Sequence, residues 1–299
     1  MIRGGSPAPL AVPVVFVLLW STGFIGARLG LPHAEPLTFL ALRYFAVLLL
    51  MLPFTLIVRA PWPATARNAR HIAIAGMLIQ GGYLGCVFSA LHAGMSAGVV
   101  ALIVGMQPLL TAAAAGHLLG ERVVLRQWAG LALGFIGVAL VVWQNMAAQG
   151  LTATSLALSL LALASITLGT LYQKRYCPSF DVRSGSVIQF TAALAVTLPL
   201  AWAFETMTVR WTGEFLFALG WLVLVLSVGA TTLLFRLIAR GAATRVTSLF
   251  YLTPAVTAIM AWLMFDEILG AVALIGMTIA VTGVALVNRR APRPTADQA

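Results

Sequence analysis

The stretch from Met106 to Val142 occurs twice in this chain. Its second copy starts at Leu252, and the two align without a gap at a constant offset of 146 residues. Pro108 falls on Pro254, Glu121 on Glu267, Gly130 on Gly276 and Gly137 on Gly283. The offset extends over nearly the whole chain, pairing Gly23 with Gly169, Arg28 with Lys174, Arg43 with Gln189 and Pro53 with Pro199. A duplication constrains the fold more than any local pattern does, because two similar units must bury their apolar faces on each other.

Those faces are too extensive for a soluble core. Hydrophobic residues make up 61% of the chain and charged ones 9%, a composition that belongs to membrane proteins. A spanning helix needs about 20 mostly apolar residues. Runs of that kind fall at approximately 10–31, 36–58, 71–92, 96–119, 123–144, 151–172, 184–204, 214–236, 244–265 and 269–288. The expected fold is an all-α polytopic membrane protein with ten transmembrane helices in two five-helix repeats, 1–147 and 148–299. Five is odd, so the second repeat enters the membrane upside down relative to the first. Inverted repeats of this kind place a substrate site near the midplane, where the halves meet.

Charge supplies the orientation. The net charge of +10, from seventeen Arg and one Lys among the basic residues, could suggest a nucleic-acid partner. The basic residues sit in short clusters between apolar runs, however, and a lipid bilayer rather than nucleic acid is the expected surrounding. With alternate loops assigned to one face, that face holds 15 of the 18 basic residues, from Arg3 to Arg293. The other holds Arg210 beside Glu35, Glu205, Glu214, Asp266 and Glu267, which puts both termini in the cytoplasm of an inner-membrane protein. The basic start resembles a signal peptide, but the first apolar run is long and lacks a small-residue cleavage site, so an uncleaved first span is expected. Cys86 and Cys177 are expected to be free thiols.

The same marks resemble a known family. Gln107-Pro108, Gly120-Glu121, Gly130 and Gly137, repeated as Thr253-Pro254, Asp266-Glu267, Gly276 and Gly283, are similar to the EamA-like branch of the drug/metabolite transporter superfamily. Asp266 departs from the pattern by standing where the first copy has Gly120. The resemblance implies a five-plus-five carrier that exports amino acids or other small metabolites.

Candidate lining residues are polar or aromatic groups at mid-span, where they are costly unless they face protein or a water-filled cavity. Span one offers Trp20, Ser21 and Phe24, and the matching place in span six offers Thr167 and Thr170 around Gly169. Gln80 and Tyr83 are three residues apart in span three, on one helical face. Arg43 and Tyr44 in the second span form a similar constellation, with Gln189 and Phe190 as their counterparts, and Gln107, Tyr251 and Thr253 flank the repeated prolines. Each of these has a purely structural alternative, such as hydroxyl bonding to the helix backbone or interhelical bonding. Pro108 and Pro254 each delete a helix hydrogen bond and are expected to kink their spans.

Arg43 is either a carboxylate anchor or a side chain that snorkels to the near membrane end or pairs with Glu35. The second is favoured here, as it is for Arg28. The small-residue faces of Gly130 and Gly134, and of Gly276 and Ala280, permit close helix contact, either between the halves or in a homodimer. Glu121 and Glu267 read as helix-end caps.

No His, Cys or carboxylate spacing suggests a metal, no nucleophile-plus-base pattern suggests an enzyme, and no phosphate loop suggests ATP use. No cofactor is expected. Mid-span carboxylates are absent from the sequence, which disfavours a cationic cargo and strict proton coupling. The expected activity is carrier or facilitator export of small neutral or zwitterionic metabolites by alternating access. Amino acids with aromatic or hydrophobic side chains fit best, with drug efflux by proton antiport as the alternative. A membrane enzyme or channel remains a reading of another class.

Overall fold

The computed structural model describes residues 11–111, 114, 125–147, 151–177, 179–230, 233, 253–266 and 270–288. Among these residues the regular structure is helical: α1 (Ala11–Gly30), α2 (Pro36–Ile57), α3 (Ala66–His92), α4 (Ala97–Thr111), α5 (Leu125–Ala147), α6 (Ala153–Tyr176), α7 (Val182–Phe204), α8 (Gly213–Ala230), α9 (Thr253–Phe265) and α10 (Ala271–Asn288). Five of them, α2, α3, α6, α7 and α8, are long and apolar enough to cross a membrane, and α4 and α9 are shorter apolar helices. The protein is an all-helical membrane protein.

Helix starts follow the local chemistry. Thr65, Ser96, Thr152 and Thr212 each accept a hydrogen bond from a backbone N–H in the first turn of α3, α4, α6 and α8, and Ser155 completes a capping box with Thr152. Such caps satisfy N–H groups that have no partner inside the helix. Asp181 caps α7 through the Arg183 N–H and pairs with the Arg183 guanidinium at 2.7 Å, which holds its carboxyl below the usual carboxylate range.

The cap of α2 is supplied from the other repeat. Pro36 opens this helix, and the Leu37 and Thr38 N–H groups donate to Glu205 at 2.8 and 2.7 Å. Glu35 accepts instead from the N–H and hydroxyl of Thr206, both at 2.7 Å. The same two loops are joined by an antiparallel bridge between Ala34 and Val209 and by His33 with Glu214 at 2.9 Å. Glu35, Glu205 and Glu214, three of the acids expected on one face of the membrane, thus meet at one end of the bundle.

Packing obeys the duplication. α2 packs on α7, α4 on α9 and α5 on α10, each helix on its own counterpart, while α1 packs on α8 and α3 on α6, two pairs that the offset exchanges. A Cβ at Gly137 would lie 2.4 Å from the Gly276 carbonyl oxygen, and one at Gly283 would lie 2.5 Å from that of Gly130. These two contacts interchange under the offset and run in opposite chain directions, so α5 and α10 cross antiparallel about an approximate two-fold. The small-residue faces are therefore used within the chain. Asp266 has φ 53°, the left-handed conformation that glycine would adopt freely, and Asp tolerates it better than most residues.

Exposed apolar side chains form the outer surface, including Leu49, Phe54, Ile57, Phe135, Ile136, Leu161 and Leu263. In water such a surface would be an association site; in a bilayer it is the lipid contact. Trp62, Trp202 and Trp211 are also exposed and lie close to helix ends, where amphipathic rings favour the membrane interface.

Candidate substrate cavity

Two helices contain a wide turn, and the two turns are related by the repeat. In α3 the segment Met77–Gly82 is π-helical, and in α8 the segment Trp221–Ala230 is. The offset carries the first onto 223–228. Such turns widen the backbone spiral and frequently mark functional positions. Gly81 and Gly82 let the first one form in close quarters, since a Cβ at Gly82 would sit 2.3 Å from the Ser165 Oγ.

Side chains from other helices take up the loosened carbonyls. Ser165 donates to the Leu78 oxygen at 2.9 Å, and the Tyr44 hydroxyl donates to the Gln80 oxygen at 2.6 Å. In the second turn the donor is local, Ser227 of α8 itself donating to the Leu222 oxygen at 3.0 Å. Close glycine contacts seat both turns. Gly23 of α1 faces Leu226, and its counterpart Gly169 of α6 faces Leu78 and Ile79.

Between these turns lies a cavity of about 140 Å³, lined by residues from both halves. Trp20 and Phe24 come from α1, Arg43 from α2, Gln80, Tyr83 and Phe88 from α3, Phe190 from α7, and Leu226 and Ser227 from α8. The wall is mainly aromatic and aliphatic with few polar groups, the usual composition of a small-molecule site. Its volume is below the roughly 300–1,000 Å³ of pockets for drug-sized ligands.

The sequence candidates divide around this cavity. Trp20, Phe24, Gln80 and Tyr83 line it. Tyr44 is fully buried behind it, tilted against Phe190 with ring centroids 5.7 Å apart. Ser21 and Thr167 are buried and donate to the carbonyls of Val17 and Leu163, four residues back along their own helices. This is the helix-bonded alternative open to any mid-helix hydroxyl. Gln107 donates to Thr170 at 3.0 Å, tying α4 to α6. Gln189 donates to Gln173 at 3.0 Å, and its Cα lies against Gly76, where α3 and α7 cross. The Thr253 hydroxyl is buried with no hydrogen-bond partner among the described residues. Tyr251, Glu121 and Glu267 lie outside them.

The two repeated prolines meet beside a break in α4. In α4 the helix gives way to a turn at Gly105 and Met106 and resumes at Gln107, so Pro108 sits in the first turn of the resumed helix, where its missing N–H costs least. Pro254 is the second residue of α9 and packs on Gly105, whose added Cβ would meet it at 2.8 Å. The two repeated prolines therefore approach one another across the α4–α9 contact.

Arg43 is the largest departure from expectation. It neither snorkels nor pairs with Glu35: it is 7% exposed, lines the cavity and donates to the Ser227 hydroxyl at 3.2 Å. Glu35 is engaged by Thr206, so the expected partner is spent elsewhere. Arg28 does end near a backbone acceptor, the Leu91 oxygen at 3.4 Å. Sequence reasoning also missed Ser227 and the two wide turns; the glycines at 81, 82 and 229 were the available signal.

Helices duplicated around a mid-bundle cavity define a membrane transporter, and comparison with known proteins gives the family. The chain matches the EamA-like transporter family over residues 9–143 and 153–289, and it belongs to that family. A protein of Salmonella typhimurium described as "Probable amino-acid metabolite efflux pump" is 28% identical over 162 residues, 54% of this chain and 52% of that protein. The match thus spans about half of that relative. An Escherichia coli strain K12 protein with the same description is 24% identical over 282 residues, 91% of each chain. A solved structure titled "Crystal structure of protein" shares the fold with a TM-score of 0.63 and 20% identity, covering 92% of this chain and 94% of that one.

Proposed function

We propose that this protein is a secondary carrier or facilitator that exports small zwitterionic metabolites, chiefly amino acids with aromatic or hydrophobic side chains, across the inner membrane by alternating access. It does so with ten spans in two inverted halves, 1–147 and 148–299, and with both termini in the cytoplasm. The observation that carries this is the cavity between the halves, walled by both wide turns and by Trp20, Phe24, Tyr83, Phe88 and Phe190. Aromatic faces bury an apolar body, while Gln80, Tyr83, Arg43 and Ser227 offer directional hydrogen bonds. The relatives described as amino-acid metabolite efflux pumps favour the same cargo.

Efflux of cationic drugs by proton antiport is the second reading, and the site chemistry weighs against it. No carboxylate is among the described residues lining the cavity, whereas a cation is. A proton-coupled cation exporter needs an acid that proton and substrate compete for.

Purified protein in liposomes tests this directly. Counterflow of labelled phenylalanine, leucine and tryptophan is expected to saturate and to show mutual competition. Ion current that does not saturate would remove the carrier, and accumulation of amino acid driven by an imposed pH gradient would replace facilitation with antiport. Trp20→Ala, Gln80→Ala and Tyr83→Ala should each lower transport about tenfold or more, roughly 1.4 kcal/mol of lost interaction, at unchanged membrane abundance. Normal transport in all three would reject the cavity as the site.

A further inference from the structure

Among the described residues, no acid balances the charge that Arg43 carries into the cavity. The guanidinium is 7% exposed, and the hydrogen bond given to it among the described residues goes to a neutral group, the Ser227 hydroxyl at 3.2 Å. Its Nε–H is buried without a hydrogen-bond partner among the described residues. Glu35 and Glu205, the acids at the near end of the same bundle, are held by Thr206 and by the first turn of α2. Buried charges are ordinarily paired and fully hydrogen-bonded, because an uncompensated ion in a low-dielectric interior is strongly disfavoured. The repeat does not account for the residue either. Its counterpart Gln189 is neutral and bonded to Gln173, so a cation at this position serves something that the shared fold does not require.

We propose that Arg43 is the anion-binding group of the cavity and that the cargo seats a free carboxylate on it, with its apolar body against Trp20, Phe24 and Phe190. The choice of cargo rests on the export function proposed above; the carboxylate site itself does not. A guanidinium presents five N–H donors in a planar fork that a carboxylate meets with two parallel bonds. Ser227, on the second wide turn, holds one donor and thereby aims the fork from α2 toward the facing half. A carboxylate bound there would touch both repeats at once. An amine or alcohol of the same size lacks the charge, and an amine is repelled.

Purified full-length protein in detergent, probed with four compounds of similar size, separates these cases. Thermal midpoints are expected to rise saturably with 3-phenylpropionate and with phenylalanine, and to stay unchanged with 3-phenylpropan-1-ol and phenethylamine at the same concentrations. Arg43→Gln should weaken binding of 3-phenylpropionate more than tenfold. Arg43→Lys, which keeps the charge but loses the fork, should fall between the two. Equal stabilisation by the acid and the alcohol, or retention of acid binding within twofold in Arg43→Gln, would overturn the proposal. Should Arg43→Gln fail to fold, the four ligands on the unaltered protein still decide it.

A liposome arm keeps this distinct from the export function. Phenylalanine transport with no transport of phenylalaninamide supports both, and equal transport of the two sinks the carboxylate site. Selective acid binding with no amino-acid transport sinks the export function and leaves the site standing.

Discussion

Tyr44 shows what a single side chain does in this fold. Its ring is fully buried against Phe190, and its hydroxyl donates at 2.6 Å to the Gln80 carbonyl, inside the first wide turn. Tyr44→Phe keeps the ring and removes this bond, which costs about 0.5–1.5 kcal/mol, rising to about 1–3 kcal/mol where the acceptor is left unpaired. A lower thermal midpoint with intact expression is the expected result; an unchanged midpoint would mean that the turn finds another donor. Tyr44 was identifiable in the sequence as a polar group at mid-span, but its role was not. A phenol looks the same whether it meets a ligand or a carbonyl, and the neighbour that decides lies on another helix, 36 residues away. Arg43 makes the same point more sharply. Its distance from Pro36 along α2 allows snorkelling, and only the capture of Glu35 by Thr206 and the approach of Ser227 show that it turns inward.

At the scale of elements, the contact of α5 with α10 rests on backbone meeting backbone. A Cβ at Gly276 would lie 2.6 Å from the Gly137 oxygen and 2.8 Å from a Val141 methyl, so Gly276→Ala must push the helices apart. A destabilisation of about 1–3 kcal/mol is expected, as for other overpacked positions. Gly220→Ala is the control: nothing lies within 4 Å of its added Cβ, and the better helix propensity of Ala should leave stability equal or slightly higher. Equal thermal midpoints in the two variants would show that the crossing has slack. This contact was legible in the sequence, because small residues repeated at helical spacing have few other uses in apolar helices. The wide turns were not, since a π-helical turn differs from an α-helical one by a single inserted residue, and the sequence pattern of α3 stays helical on both sides of it.

For the whole molecule, the basic residues set a prediction of topology. With both termini cytoplasmic, a reporter active only in the cytoplasm should work when fused at the C-terminus and fail when inserted at Thr208, between α7 and α8. The reverse outcome would invert the bundle and with it the direction assigned to export. The sequence by itself determined the helical membrane class and the duplication, because composition and period are properties of the chain that survive any packing. The tertiary structure alone decided which polar groups face the cavity. Ser21, Thr167 and Tyr44 satisfy themselves on backbone, whereas Arg43, Gln80, Tyr83 and Ser227 converge, because hydrogen-bond satisfaction in a low-dielectric interior depends on partners brought together from different helices.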